Sequence, residues 1–203
     1  MVGIINYGLG NLGSIQNMLK VIGEKSIISE SIAELEKCDR YILPGVGAFD
    51  AGMSKLNKSG LVDFIKRQVL EEKKPILGIC LGMQMLGRKS EEGTLPGLGL
   101  IPFDNVRFQL DNTDLKVPHM GWDIVEFKQD NSLLRGLEGT QRYYFVHSYH
   151  ARCDFLENVL MTCDYGYEFA ASVVQDKIMG VQFHPEKSHD FGMALLRNYV
   201  KEC

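Results

Sequence analysis

No Cys-x-x-Cys pair occurs among the five cysteines, Cys38, Cys80, Cys153, Cys163 and Cys203. Their odd number and their spacing offer neither a disulfide framework nor a structural zinc site, and a reducing compartment is the simplest setting for them. There is no Lys/Arg-dense run, and the net charge is −4, so a nucleic-acid surface is not expected. No apolar run is long enough to span a bilayer, and no basic segment of the signal-peptide type opens the chain. These absences lead us to expect a soluble, cytoplasmic protein without membrane contact. Linkers, internal repeats and low-complexity tracts are missing too. At 203 residues, 45% hydrophobic and 24% charged, the expectation is one globular domain over residues 1–203 with a sizeable core.

What is present first is alternation. Val2–Asn6 reads as a buried strand, and Ile15, Met18, Leu19 and Ile22 then recur at helical spacing. Ser26–Ile28 and Arg40–Leu43 are further strand candidates, separated by a helix near Ile32–Lys37. Pro44-Gly45-Val46-Gly47 reads as a turn. A helix over Leu61–Glu72 leads to the strand Pro75–Ile79, and a second helix is expected after Cys80. This is βαβ alternation, which implies a parallel sheet with helices on both faces. Beyond the Gly- and Pro-rich Thr94–Phe103, strands dominate: Val106–Leu110, Ile124–Phe127, Tyr143–His147, Val159–Cys163, and Phe169–Val174 with Ile178–Phe183 about a hairpin turn at Gln175-Asp176-Lys177. A helix over Phe191–Val200 closes the chain. The fold class is α/β.

The strongest local signal is Gly78-Ile79-Cys80-Leu81-Gly82-Met83-Gln84. A buried strand ends at Gly-x-Cys-x-Gly and a helix begins, which is the layout of a nucleophile elbow with Cys in place of Ser. Both glycines are needed, because side chains there would collide with the adjoining strand and helix. The thiol falls at a helix N-terminus, where exposed N–H groups favour a thiolate, and the Leu81 N–H is placed to hold an oxyanion. A lone cysteine is more often a buried core residue; the flanking glycines tip the balance towards a nucleophile.

Such a nucleophile needs a base. Gln182-Phe183-His184-Pro185-Glu186-Lys187-Ser188 supplies His184 at a strand end, with Glu186 two residues on to accept from and orient the imidazole. Alone, His-Pro-Glu is weak evidence; beside a cysteine elbow it is specific.

These two segments and Pro44-Gly45-Val46-Gly47-Ala48-Phe49 resemble, in that order and across essentially the whole chain, the class I (triad) glutamine amidotransferases. The resemblance implies their single-domain, flavodoxin-like fold: a mixed, mostly parallel central sheet flanked by helices, with a β-rich second half. Asn6–Asn11, Val117–Trp122 and Tyr144–Tyr149 are similar to segments of the glutaminase subunits of imidazole glycerol phosphate synthases. The resemblance implies Cys80 as nucleophile, His184 as base and Glu186 as its orienter. It implies oxyanion donors at Leu81 and in the loop carrying Val46 and Gly47. Gln84, Glu92, Ser148 and Tyr149 would contact glutamine, Glu92 through the substrate α-amino group. It implies no cofactor and no metal. The partner it implies is a (β/α)₈-barrel cyclase in a heterodimer, receiving ammonia by a protected route in histidine synthesis, with Asn11, Met120 and Trp122, and also Tyr7 and Gly8, as candidate docking residues. Ammonia protonates in water and is then no nucleophile, so production beside its consumer is physically sensible. Asp123 stands where those subunits carry Asn, and Lys187–Met193 is closer to paralogues that supply ammonia to surface-sugar amidotransferases. Both bear on the partner rather than the glutaminase chemistry.

Three other readings compete. Gly8-Leu9-Gly10-Asn11-Leu12-Gly13 follows a strand and opens a helix, with Glu30 about 20 residues on, as in an NAD-binding module; it leaves Cys80, His184 and Glu186 unexplained. A cysteine peptidase of similar fold would share the triad but not Gln84 and the Pro-Gly-Val-Gly loop. A dead-triad binding protein is disfavoured by three competent residue types. His119, His147 and His150 show no ligand spacing and read as structural. Cys38, Cys153, Cys163 and Cys203 read as inert or surface thiols.

Overall fold

A computed structural model describes residues 1–111 and 114–203. The first half contains β1 (Val2–Ile5), α1 (Leu12–Ile22), β2 (Ser26–Ser29), α2 (Ile32–Leu35), β3 (Arg40–Gly45), α3 (Phe49–Lys58), α4 (Leu61–Lys66), β4 (Ile76–Cys80) and α5 (Leu81–Leu86). The second contains β5 (Lys89–Ser90), β6 (Phe103–Arg107), β7 (His119–Phe127), β8 (Gln141–His147), β9 (Tyr149–Cys153), β10 (Val159–Asp164), β11 (Glu168–Gln175), β12 (Ile178–Val181) and α6 (His189–Lys201).

The twelve strands among the described residues join one sheet, ordered β2-β1-β3-β4-β12-β11-β10-β7-β8, with β5, β6 and β9 branching from β11. Pairing is parallel from β2 to β12 and antiparallel from β12 to β8. β1 and β4 are buried along their whole length, as befits parallel strands covered on both faces. One face packs under α1 and α6 through Ile4, Ile15, Leu19, Leu77, Leu195 and Tyr199. The other packs under the remaining helices through Leu43, Phe49, Leu56, Phe64, Ile76 and Met83. Gly23 closes α1 in the left-handed conformation, φ +85, its N–H returning to Lys20 O.

Several expectations need correction. Pro44 and Gly45 are not a turn; they extend β3 and pair with Ile79 and Cys80. Pro44 is tolerated because β1 stops pairing with β3 at Ile42, so no partner on that side needs its missing N–H. The helix expected to reach Glu72 is α4 followed by a π-helical segment, Arg67–Glu71. α3 was not anticipated, although Phe49, Gly52, Met53 and Leu56 are buried at helical spacing. β6 begins at Phe103 and ends at Arg107, before the Leu110 boundary expected, and β9 is an additional strand.

Candidate active site

Cys80 sits where β4 gives way to α5. Its backbone, at φ +54 and ψ −112, is one that side-chain-bearing residues avoid at a cost of about 1–3 kcal/mol. The glycines around it explain how the turn is held. A Cβ on Gly82 would lie 1.8 Å from Leu43 O, and one on Gly78 would lie 2.7 Å from Met83 Cα. α5 therefore crosses the ends of β3 and β4 in direct backbone contact.

β12 runs parallel beside β4, with Val181 opposite Ile79, so the chain leaving β12 carries His184 to the level of Cys80. The His184 N–H donates to Tyr144 O at 2.9 Å. Its carbonyl accepts from Ser188 Oγ at 2.7 Å, and that oxygen accepts from the Tyr144 N–H at 3.0 Å. His184 Nδ1 lies 2.8 Å from Glu186 Oε1, with both side chains buried. Donation from Nδ1 leaves Nε2 to face Cys80. Nε2 meets no partner at strict hydrogen-bond geometry, but the thiol is near enough to act on it. Burial works against an imidazolium; the Cys80 and Glu186 interactions outweigh it, and the His184 pKa is pushed up to about 10. The arrangement favours the imidazolium form of His184 beside the Cys80 sulfur.

Two glutamines complete the inner wall. Gln84 Nε2 donates to Tyr149 O at 3.0 Å and to Gln182 Oε1 at 3.1 Å. That contact fixes the Gln182 amide, whose Nε2 then points at Cys80 Sγ, 3.8 Å away. Gln182 and Ser188, both without solvent exposure, lie inside a motif that was legible, yet nothing in the sequence said which atoms they would hold.

A cleft of about 410 Å³ is lined by Val46, Gly47, Cys80, Leu81, Gln84, Glu92, Ser148, Tyr149 and His184, with Glu186 behind the imidazole. Every position expected to touch glutamine thus borders one space. A larger depression, about 820 Å³, lies over Phe127–Leu137 but offers neither thiol nor imidazole. Glu92 accepts from the Phe49 N–H through Oε2 at 2.8 Å, tying the cleft rim to the start of α3. The Tyr149 carbonyl is already engaged by Gln84 and His147, and the Ser148 carbonyl by the Phe108 N–H.

Met120, Trp122 and Ile124 project from one face of β7 and are exposed by 61%, 41% and 54%, an apolar stripe beside the cleft. Asn11 is half-buried on the loop over Pro44. Tyr7 is no docking residue: it is buried, its hydroxyl donating to Pro44 O at 2.7 Å. The glycines of the NAD-like loop serve this packing. Gly10, at φ +110, packs so closely that a Cβ there would lie 3.0 Å from Pro44 Cβ, whereas a Cβ on Gly13 would meet nothing within 4 Å, so the close helix–strand contact that a dinucleotide loop asks of its third glycine is absent. The structure also brings His119, Asp123 and Cys163 together, which linear spacing had not suggested. Cys38 and Cys163 are buried, and Cys153 and Cys203 are partly buried.

Residues 4–203 match the family model for glutamine amidotransferase class-I. The chain belongs to the class-I glutamine amidotransferase family. It is 50% identical, over 99% of both chains, to a Pseudomonas aeruginosa protein named imidazole glycerol phosphate synthase subunit HisH 2. It is equally identical, over the full length of both, to a Methanococcus maripaludis protein of the same name. A crystal structure of a glutamine amidotransferase covers 98% of this chain at 21% identity, with a TM-score of 0.75, and shares the fold.

Proposed function

We propose that this chain is the glutaminase subunit of an imidazole glycerol phosphate synthase, releasing ammonia from L-glutamine for a (β/α)₈-barrel cyclase subunit in histidine biosynthesis. The observation that carries the reading is Cys80 on its strained elbow beside the buried His184–Glu186 pair, in a cleft shared with Gln84 and Glu92. The names of the full-length relatives support the pathway and the subunit role.

In this reading the Cys80 thiolate attacks the side-chain carbonyl carbon of glutamine. The displaced electron pair rests on oxygen, held by the Leu81 N–H and by an N–H of the Val46–Gly47 loop. His184 gives its Nε2 proton to the departing nitrogen, the C–N bond breaks, and ammonia and a thioester remain. Neutral His184 then takes a proton from water. The hydroxide adds, the C–S bond breaks, and glutamate leaves with the thiolate restored. Glu186 keeps Nδ1 protonated throughout and stabilises each imidazolium. Glu92, at the cleft rim, receives the substrate ammonium group. The exposed stripe of Met120 and Trp122, with Asn11, is the docking face.

A second reading rests on Asp123 and the Lys187–Met193 segment, which favour an amidotransferase of surface-sugar synthesis as the ammonia consumer. Glutaminase assays with each type of partner separate the two. Glutamate release rises with the true partner carrying its own substrate, and Cys80→Ala abolishes it while added ammonium salts still sustain the synthase. A glutamine-analogue electrophile labels Cys80 alone. Labelling of Cys38 or Cys163 instead, or full activity from the isolated chain, would overturn the corresponding part of the assignment.

A further inference from the structure

The antiparallel half of the sheet holds a polar chain that the glutaminase chemistry does not use. His147 Nδ1 lies 2.9 Å from Tyr149 O, His147 Nε2 lies 3.1 Å from His119 Nδ1, and His119 Nε2 lies 3.3 Å from Asp123 Oδ2. A carbonyl only accepts, so His147 carries its proton on Nδ1 and offers a lone pair at Nε2. His119 must then donate from Nδ1. In a neutral imidazole that leaves a lone pair on Nε2, facing a carboxylate oxygen. The other tautomer repairs the Asp123 contact but sets two lone pairs against each other between the histidines. Either way the chain lacks one positive charge.

The missing charge has a place to sit. Cys163 of β10 brings its sulfur to the same spot, and the His119 nitrogen, the Asp123 oxygen and the Cys163 sulfur all lie within 4.8 Å of one another. His119 and Asp123 share one face of β7 with only Gly121 between them, and a Cβ on Gly121 would meet nothing within 4 Å. His119 is stacked between Tyr165 and Phe145, centroids 4.0 and 4.7 Å away, so its ring plane is fixed.

We propose that His119, Asp123 and Cys163 form a binding site for a Zn²⁺-class divalent cation, with solvent as fourth ligand on the half-exposed Asp123 side. Imidazole, carboxylate and thiolate are the donor set such an ion takes. A tetrahedral ion with bonds of about 2.0–2.3 Å wants its ligand atoms roughly 3.3–3.7 Å apart. The His119–Asp123 pair is already there, so closure asks for a shift of about 1 Å at most on the Cys163 side. The Nδ1–H···Nε2 bond to His147 is the outer contact that ligating histidines require. Binding is proton-linked: the S–H bond of Cys163 breaks, its proton goes to solvent, and the sulfur pair forms the metal bond. Through His147 the ion would anchor the Tyr149 carbonyl that Gln84 also grips, tying it to the floor of the cleft.

The test is Co²⁺ titration of the chelator-treated full chain. Cys80→Ala serves as background, so that the second thiol–imidazole site cannot contribute. The expected result is one ion per chain with a thiolate-to-cobalt charge-transfer band, displaced by Zn²⁺, and about one proton released per ion. Loss of an outer contact to a ligand costs about 10–100-fold in affinity; Cys163→Ser and the isosteric Asp123→Asn should each weaken binding by at least about 100-fold. Near-UV circular dichroism of both variants confirms that they fold. Should Cys163→Ser misfold, Asp123→Asn and the band itself still decide. The absence of a thiolate band at saturating Co²⁺, or equal affinity in Asp123→Asn, overturns the proposal. A His119 imidazolium seen by NMR at neutral pH in protein that binds no Co²⁺ also overturns it, because the missing charge is then a proton.

Discussion

On the parallel side of the cleft the backbone itself is the tool. Gly78, Gly82 and Gly45 let strand ends and helix start touch at distances no Cβ permits, and Cys80 is forced to φ +54. On the antiparallel side the positioning falls to side chains. There Phe108, Phe145, Phe169, His119 and His147 pack ring against ring behind Ser148 and Tyr149. The nucleophile proposed at Cys80 must be held against its own conformational preference, which takes rigid close contact. A wall that only presents polar groups to a substrate can be tuned residue by residue. Damage should therefore be all-or-none on the first side and graded on the second.

The largest effect tests that claim directly. Gly82→Ala drives a methyl group into Leu43 O, a backbone atom that cannot step aside. The loss should reach or exceed the roughly 3 kcal/mol upper end of overpacking costs. A melting curve should show an unfolded or severely destabilised chain. Near-normal melting would mean that the elbow has slack and would remove the contrast between the two sides.

Next comes the hinge between the sides, His184. His184→Ala should lower glutaminase turnover by about 10⁴–10⁶-fold, and Glu186→Gln by less, about 10²–10⁴-fold. The His184 pKa is raised to about 10, with burial opposing and Cys80 and Glu186 prevailing. The stabilising contribution of a raised histidine is complete below its ordinary value, near 6.5, and is lost as pH rises through about 10. Glu186→Gln should bring that loss to lower pH. Thermal melts of wild type and variant between pH 6 and 10 should diverge in that window, and parallel curves would deny Glu186 its hold on the imidazole.

Gly47 gives a smaller effect of a different kind. A Cβ there meets nothing, but φ is +102, so Gly47→Ala is strained by about 1–3 kcal/mol without a clash. If an N–H of this loop is the second oxyanion donor, turnover should change while glutamine binding does not; kcat against KM shows the split.

How much of this could be read beforehand follows the same division. The elbow and its glycines were legible because backbone constraints write themselves as residue types at fixed spacing. His184 and Glu186 were legible for the same reason, two residues apart. The cluster of His119, Asp123 and Cys163 was not: it depends on β7 lying beside β10, a pairing across more than thirty positions that no local pattern encodes. Gln182 lay within a legible motif, yet only its contact with Gln84 told which end of its amide meets the sulfur. The extension of β3 through Pro44 was misread because proline and glycine usually mark turns, and here they mark a strand with one side open.

The smallest effect belongs to the outer face of the graded side. Trp122 is 41% exposed, stacked on His189 with ring centroids 5.5 Å apart, and lies under the Arg142 guanidinium at 5.7 Å. β7 itself is held in the sheet by its backbone ladders with β8 and β10. Trp122→Ala should thus move the melting temperature little. Its cost should appear on docking, where a half-exposed tryptophan beside exposed Met120 has the character of an interface anchor worth about 2 kcal/mol, or roughly 30-fold in affinity. Calorimetric titration of the proposed cyclase subunit into wild type and variant measures that difference. Unchanged affinity together with a large drop in melting temperature would reverse the assignment and make Trp122 part of the core.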